Sequence, residues 1–331
     1  MDAAVPFDRI LDMHRVSSSS KLLRHRADWR TLLWAFVLMP GVGMLQYAVP
    51  ALAGWLLPLG LYTGFCAGVL AHNHNHHPTF RARSLDLAYA CWLSVFYGYP
   101  IFGWRPTHNG NHHRFVNRPG DAIATWQHSS ENTWLAAASY FFAAAARQAP
   151  QTRRYVAKLK RHAPKQFRHI VAQGACAFGA HATLLAWALW THGAITGALL
   201  YASAFGVPAF FALWSMFFIN FIQHVHCDPS SKYDHSRNFV SPLGNFLVFN
   251  AGLHTAHHES PALHWAELPS AHARIAGQIR AELKQASIFG FCLRAYVLGA
   301  VNPRFRTRQI DRVSGQLGIE VPPLGAVSRA S

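Results

Sequence analysis

The chain has 331 residues, enough for one large domain or two small ones. Hydrophobic residues make up 51% of it and charged residues only 13%, whereas about 25% is charged in a typical soluble domain, so the composition argues against a soluble globular protein. The net charge is +16. Because the basic residues flank apolar runs and do not alternate with aromatics, they favour a membrane surface over nucleic acid as the partner.

The apolar runs predict four membrane-spanning helices. Residues 1–29 are polar and basic, lack a signal-peptide pattern and are expected to form a cytosolic lead-in. Runs at about 31–49 and 51–71 form one hairpin, and runs at about 171–190 and 195–219 form another. Each run has about 20 residues, the length that crosses roughly 30 Å of hydrocarbon.

Two further apolar segments are too interrupted or too short to span. The run 85–103 is broken near its end by glycine and proline, and we expect a half-inserted helix that returns to its starting side. Residues 133–146 are expected to lie at the membrane interface, followed by a basic loop over 147–168.

The polar C-terminal part is expected to form a cytosolic helical cap from residue 223, with an amphipathic helix over 266–286. The prediction is thus an all-α integral membrane domain over 30–302 and a basic, flexible tail over 303–331. The connections within both hairpins lack Lys and Arg, whereas the lead-in, the basic loop and the tail are rich in them. The positive-inside rule therefore predicts that both termini and the cap face the cytoplasm.

Three histidine clusters lie next to these apolar runs. The first is His72-Asn73-His74-Asn75-His76-His77, the second is His108-Asn109-Gly110-Asn111-His112-His113, and the third is His254-Thr255-Ala256-His257-His258. In a helix, residues three or four apart share a face, so each cluster can direct two or three imidazoles into one cavity. Imidazole suits iron, copper, zinc or nickel, and eight or nine imidazoles exceed what one ion binds, so two ions are expected.

A fourth ligand arm lies at the end of the last apolar run. Asn220 and His224 are four apart and share a helical face, so His224 can bind metal and Asn220 can hold a metal-bound water or orient an imidazole. His226 is an alternative to His224, as His77 is to His76. His74 points elsewhere on the helix. Loop carboxylates such as Asp121 are candidate acceptors for imidazole N–H groups.

The five cysteines are scattered, which argues against a disulfide framework or a thiolate site.

This pattern resembles the membrane fatty acid desaturase and hydroxylase superfamily over about residues 30–270. The Asn220-x3-His224 pair resembles the additional ligand motif of the acyl-CoA desaturase branch, whereas the stretch 223–226 resembles the acyl-lipid branch. Pro261 and Trp265 also match the superfamily pattern. Two features depart from simple desaturases. The second cluster has three residues between its first histidine and its pair, where many have two, and the stretch 117–121 is similar to hydroxylase and ketolase branches.

The resemblance implies two iron ions, O2 as co-substrate and a fatty acyl or lipid-like substrate linked to CoA, a carrier protein or a glycerolipid. It also implies an external electron donor such as ferredoxin, rubredoxin or cytochrome b5, and the chain contains no His-Pro-Gly-Gly heme signature of a fused cytochrome b5. The implied ligands are His72, His76 or His77, His108, His112, His113, His224, His254, His257 and His258, with Asn220 in a supporting position.

The expected activity is desaturation of an unactivated C–C bond by an O2-dependent di-iron membrane oxidoreductase. Hydroxylation, or an acetylenase or ketolase reaction, is the alternative within the superfamily. A membrane protein that binds or transports metal is the alternative from another class, but the spans carry almost no charge to mark an ion path. A zinc hydrolase is disfavoured by the absence of HExxH.

Overall fold

The computed structural model describes residues 21–310, which are mostly helical. The helices are α1 (Asp28–Ala48), α2 (Pro50–His76), α3 (Arg83–Tyr97), α4 (Arg105–His112), α5 (Trp134–His162), α6 (Pro164–His192), α7 (Ala194–His224), α8 (Pro242–Leu247), α9 (His254–Glu259), α10 (Leu268–Ile275) and α11 (Ile288–Val301). Two short strands, β1 (Asn238–Phe239) and β2 (Lys284–Gln285), pair in parallel within the cap.

Four of the helices in residues 21–310 are long and apolar enough to cross a membrane, namely α1, α2, α6 and α7, with 21, 27, 29 and 31 residues. At 1.5 Å per residue each exceeds the roughly 30 Å of a hydrocarbon core. The predicted all-α integral membrane fold is therefore confirmed. α2 and α7 extend past the apolar runs on the side of the histidines, which places polar turns beyond the hydrocarbon.

The two hairpins pack against each other through small residues. Gly60, Gly64 and Gly68 lie four apart on one face of α2 and face α7. A Cβ on Gly64 would lie 2.4 Å from the carbonyl oxygen of Pro208, and one on Gly68 would lie 2.6 Å from Cγ of Met216. Small residues let the two backbones approach this closely, as in other membrane helix pairs. This contact fixes the ends of α2 and α7, which both carry histidines.

α3 enters the helix bundle and the chain then turns back. The helix ends at Gly98, whose φ of 73° is the left-handed conformation that glycine adopts without strain. Gly98 lies against Ala209, the midpoint of α7, where an added Cβ would be 2.9 Å from that of Ala209. The chain returns within a few residues, since Asn75 Nδ2 donates to the carbonyl oxygen of Ile101 at 3.0 Å. The first and second histidine clusters therefore lie on the same side.

Two predicted segments differ from the structure. The basic stretch 147–168 is not a loop: it continues α5 to His162 and starts α6 at Pro164. Ala, Arg, Lys and Gln are good helix formers, and proline is accommodated at a helix start. The predicted cap helix over 266–286 is α-helical only over Leu268–Ile275. Two short 3-10 helices follow, Ala276–Gln278 and Ala281–Leu283, and the chain then becomes extended because β2 pairs with β1.

The ends of the described chain pack on the domain. Leu23 is buried and bridges to Phe80. Residues 303–310, the first part of the predicted flexible tail, lie on the cap: the Ile310 N–H donates to His226 O at 3.1 Å. The rest of the predicted tail and residues 1–20 lie outside the described residues. The division into lead-in, membrane domain and tail remains a prediction.

Candidate metal centre

The histidine clusters converge because four helix ends meet on one side of the bundle. The first cluster ends α2, the second lies on α4, the third forms α9, and His224 ends α7. Their ring nitrogens form two groups, and within each group the ligand atoms all lie within 4.8 Å of one another. Group one contains His72, His76, His108, His113 and His257, and group two contains His112, His224, His254 and His258.

The second cluster is divided between the groups by its local backbone. From spacing alone, His108 and His112 are expected to share a helical face. α4 instead has π-helical hydrogen bonds, which connect residues five apart. His108 and His113, five apart, therefore meet in group one, and His112 turns into group two. A π-helical segment within a functional site is a recurrent feature of helical proteins.

The third cluster is divided too, but by ordinary helical spacing. His254 and His258 are four apart on α9 and enter group two, whereas His257 points into group one. Each of these two clusters thus supplies both groups, and the two groups lie side by side. The ring centroids of His113 and His258, from different groups, are 4.5 Å apart.

The nitrogen spacing fits metal coordination. In group two the Nε2 atoms of His224, His254 and His258 lie 3.0–3.2 Å apart. A neutral imidazole has a single N–H, so three mutual contacts of this kind cannot all be hydrogen bonds. Metal–imidazole bonds of about 2.0–2.1 Å would place neighbouring ligand nitrogens about 3 Å apart. This donor set can therefore hold an ion.

Group one has the same spacing. His108 Nε2 lies 2.9 Å from His72 Nε2 and 3.0 Å from His113 Nε2. The Nε2 atoms of His76 and His257 are buried and have no hydrogen-bond partner. The same is true of His112 Nε2 in group two. Buried polar atoms normally have a hydrogen-bond partner, so these unpartnered nitrogens fit a site in which a metal ion would bind at the centre of each group.

The outer nitrogens of two group-two ligands are anchored. His112 Nδ1 lies 2.7 Å from Asp121 Oδ2, and both side chains are buried. His224 Nδ1 lies 3.0 Å from the carbonyl oxygen of His235. An acceptor at Nδ1 holds the proton there, which leaves Nε2 free for a metal. Asp121 therefore takes the acceptor role that the sequence left open.

Burial favours the neutral form of four of the cluster imidazoles. Desolvation lowers the pKa values of His108, His254, His257 and His258 well below the ordinary 6.5, and the neighbouring histidines lower them further. A metal ligand must be unprotonated, so these rings are already in the binding form at neutral pH.

The alternative histidines lie in different places relative to the two groups. His76 belongs to group one, whereas His77 belongs to neither group. α2 ends at His76, and the extended backbone of His77 turns its ring onto His264, with centroids 5.1 Å apart. His224 belongs to group two, whereas His226 has a φ of 63° and its ring nitrogens lie near Thr307 Oγ1 and Ser130 O.

Asn220 lies on the same side of α7 as His224, but its amide forms a hydrogen bond with Tyr140 and not with a histidine of either group. Its Nδ2 donates to the hydroxyl of Tyr140 at 3.2 Å, and that hydroxyl donates to the carbonyl oxygen of Ile123. Sequence reasoning gave Tyr140 no role. The two residues are 80 positions apart, and no local pattern connects them.

An apolar cavity of about 410 Å³ ends at the histidines. Its walls include Phe65, Val69, Leu213 and Phe217 from α2 and α7, and α5 closes another side. The cavity also touches His72, His108, His254 and His257, together with Asn220 and Trp104. The ring of Trp104 stands edge-on to those of His72 and His108, at 5.2 and 5.0 Å between centroids. An elongated apolar molecule in this cavity would therefore touch the ligands of both groups.

The fold and the site define an integral membrane protein with two histidine groups that can bind metal beside an apolar cavity. The family model described as fatty acid desaturase matches residues 45–287, which is more than half of the chain. The chain belongs to the fatty acid desaturase family and is a lipid desaturase- or hydroxylase-type oxidoreductase. No curated protein and no solved structure matches the chain.

Proposed function

We propose that the protein introduces a double bond into a fatty acyl or lipid-like chain, using O2, two iron ions and two electrons from an external donor. The balanced reaction converts –CH2–CH2–, O2, two electrons and two protons into –CH=CH– and two waters. The observation that carries this proposal is the apolar cavity that ends on ligands from both histidine groups. Family membership supports a lipid substrate.

The histidines fit two iron ions. Imidazole nitrogens are suitable ligands for iron, and the two donor sets contain five and four of them. His72, His76, His108, His113 and His257 would hold one ion, and His112, His224, His254 and His258 the other. When bound, the ions supply with O2 the oxidising power needed to remove hydrogen from an unactivated C–H bond.

The protein's own residues would bind and orient the substrate. Phe65, Val69 and Phe217 provide apolar contact along a methylene chain, which lowers the free energy of the bound chain by removing it from water. Trp104 lines the cavity beside His72 and His108, so it would limit how far the chain can slide past the metal. Holding one C–C bond at a fixed distance from the oxidant is what determines the position of the double bond.

Asn220 would form a polar point on the cavity wall near group two, and Tyr140 would hold its side chain from outside the cavity. The amide is fixed by its bond to the Tyr140 hydroxyl, which itself has a backbone acceptor. The amide oxygen is then the group that could accept a hydrogen bond from a water beside the metal. Both side chains are buried and Asn220 lines the cavity, so such a water would lie at the cavity wall.

We infer further that the histidine groups and both termini face the cytoplasm. The basic residues on α5 and at the start of α6 lie on the side of the clusters, which supports this orientation by the positive-inside rule. An electron donor such as ferredoxin, rubredoxin or cytochrome b5 would then approach the cap from the cytoplasm.

The test is expression of the full chain in a heterologous host, followed by mass spectrometry of its lipids. A loss of two hydrogens identifies desaturation. A gain of one oxygen would identify the hydroxylase of the same family and replace the proposal. His257→Ala should abolish the product, because His257 is a ligand of group one and touches the cavity.

His226→Ala is the matched control, since His226 lies outside both groups; this variant should keep its product. Both variants should remain in the membrane fraction at similar levels. A fully active His257→Ala variant would refute the site. A purified protein without iron or turnover that carries metal across vesicles would support the transporter alternative.

A further inference from the structure

α11 has an outer face that is apolar along its whole length. Phe289, Leu293, Val297 and Val301 lie four apart and are 88%, 55%, 58% and 87% exposed. The central segment Leu293–Leu298 is π-helical. Because this winding is looser than that of an α-helix, residues four apart stay close to one line along the helix. An exposed stripe of this kind on a soluble surface marks an interaction site.

The inner face of α11 is firmly docked on the cap, so the stripe is not the result of a loosely held helix. Phe291, Ala295 and Tyr296 are buried. The Tyr296 hydroxyl donates to Asn132 Oδ1 at 2.7 Å, and the ring of Phe291 lies beside that of Phe239 at 5.7 Å. The orientation of the outer face is therefore set by the fold.

α11 packs through its inner face beside the surface that meets lipid. The ring of Tyr296 contacts Phe218, in the last two turns of the spanning helix α7, with centroids 6.0 Å apart. It also contacts Trp134, at the start of α5, at 6.0 Å. α11 thus lies beside the histidine end of a span, where the hydrocarbon gives way to headgroups.

Basic residues follow the stripe immediately. Arg304, Arg306 and Arg308 are exposed and lie within seven residues of the end of α11. Cationic side chains beside an apolar face are typical of a helix that lies in the plane of the interface and meets anionic headgroups.

We propose that α11 is an in-plane membrane anchor, and that its occupant is the boundary between lipid headgroups and acyl chains. Phe289, Leu293, Val297 and Val301 insert below the headgroups, and the arginines after the helix contact lipid phosphates. The anchor holds the cap against the bilayer, so the cap cannot tilt away from α7 and the cluster at its end. The occupant is lipid and not a second copy, because α11 packs beside the histidine end of a spanning helix and is followed at once by exposed arginines.

Photo-crosslinking in nanodiscs that contain phosphatidylcholine and phosphatidylglycerol tests this anchor. The photoreactive amino acid benzoylphenylalanine replaces Phe289 or Val297 in the full chain. Ile195, an exposed residue of the spanning helix α7, serves as the lipid-facing control, and Gln278, an exposed cap residue, as the water-facing control. Each chain is first checked for a single, monodisperse elution peak, and the adducts are identified by mass spectrometry.

Phospholipid adducts should form at Phe289 and Val297 with a yield close to that at Ile195 and about tenfold above that at Gln278. A yield at both positions as low as that at Gln278 would mean that α11 faces water and would overturn the proposal. Adducts to a second copy of the chain would also overturn it, since the stripe would then be a protein interface. The use of two independent positions guards against the failure of one substituted chain to fold.

Discussion

Replacing Asp121 by Asn should weaken metal binding at group two selectively. The Asp121 carboxylate is buried; its Oδ2 lies 2.7 Å from His112 Nδ1 and accepts the Asn117 N–H at 2.8 Å. Its Oδ1 accepts the Ile123 N–H at 3.0 Å. An amide has one oxygen and one NH2 group, so Asn cannot accept at both positions. In either orientation the NH2 group would face an N–H donor, and even with the amide oxygen towards His112 the ring would lose its charged acceptor, so its tautomer and orientation would be held less firmly.

The expected magnitude follows from this contact. Partners that orient a ligating histidine typically contribute 10–100-fold to metal affinity, which is about 1.4–2.7 kcal/mol. Only group two contains His112, so group one should keep its affinity. With the purified chain and a competing chelator, the wild type should release two ions together. The Asp121→Asn variant should release one ion at a chelator concentration that is lower by that factor.

Two controls separate orientation from general destabilisation. Asp121→Asn should add nothing to the effect of His112→Ala at group two, because the carboxylate acts through that ring. Asp86→Asn removes another carboxylate that accepts a backbone N–H, from Phe80 at 2.8 Å, and should leave both affinities unchanged. Unchanged binding in Asp121→Asn, or an equal loss at both groups, would refute the reasoning.

Two further predictions follow from the same geometry. His76→Ala should lose the ion of group one in metal analysis, whereas His77→Ala should retain both ions; similar metal contents in the two variants would contradict the assignment. Desolvation lowers the pKa of His77 to about 4 and that of His258 well below 6.5, so the unfolded chain binds more protons than the folded one. The metal-free protein should therefore be most stable above pH 6.5 and lose stability as the pH falls from there towards 4, which thermal unfolding in detergent would measure.

The sequence by itself determined the class of fold and the chemistry of the site. Apolar runs of about 20 residues predict spans because hydrocarbon thickness fixes their length, and α1, α2, α6 and α7 agree. The histidine clusters predict metal binding because imidazole suits several transition metals and each cluster can direct two or three rings into one cavity. All nine positions of the predicted set are filled in the two groups, with His76 there and its alternative His77 in neither.

Tertiary structure alone decided how the ligands are shared and oriented. Spacing along an ideal helix pairs His108 with His112, but the π-helical winding of α4 pairs His108 with His113. Counting positions along an ideal α-helix does not reveal that winding. The hydrogen bond between Asn220 and Tyr140 is likewise a result of tertiary structure, because the two residues are 80 positions apart in the chain. Periodicity reports which residues share a face of one helix, whereas contacts between distant segments depend on how whole helices pack.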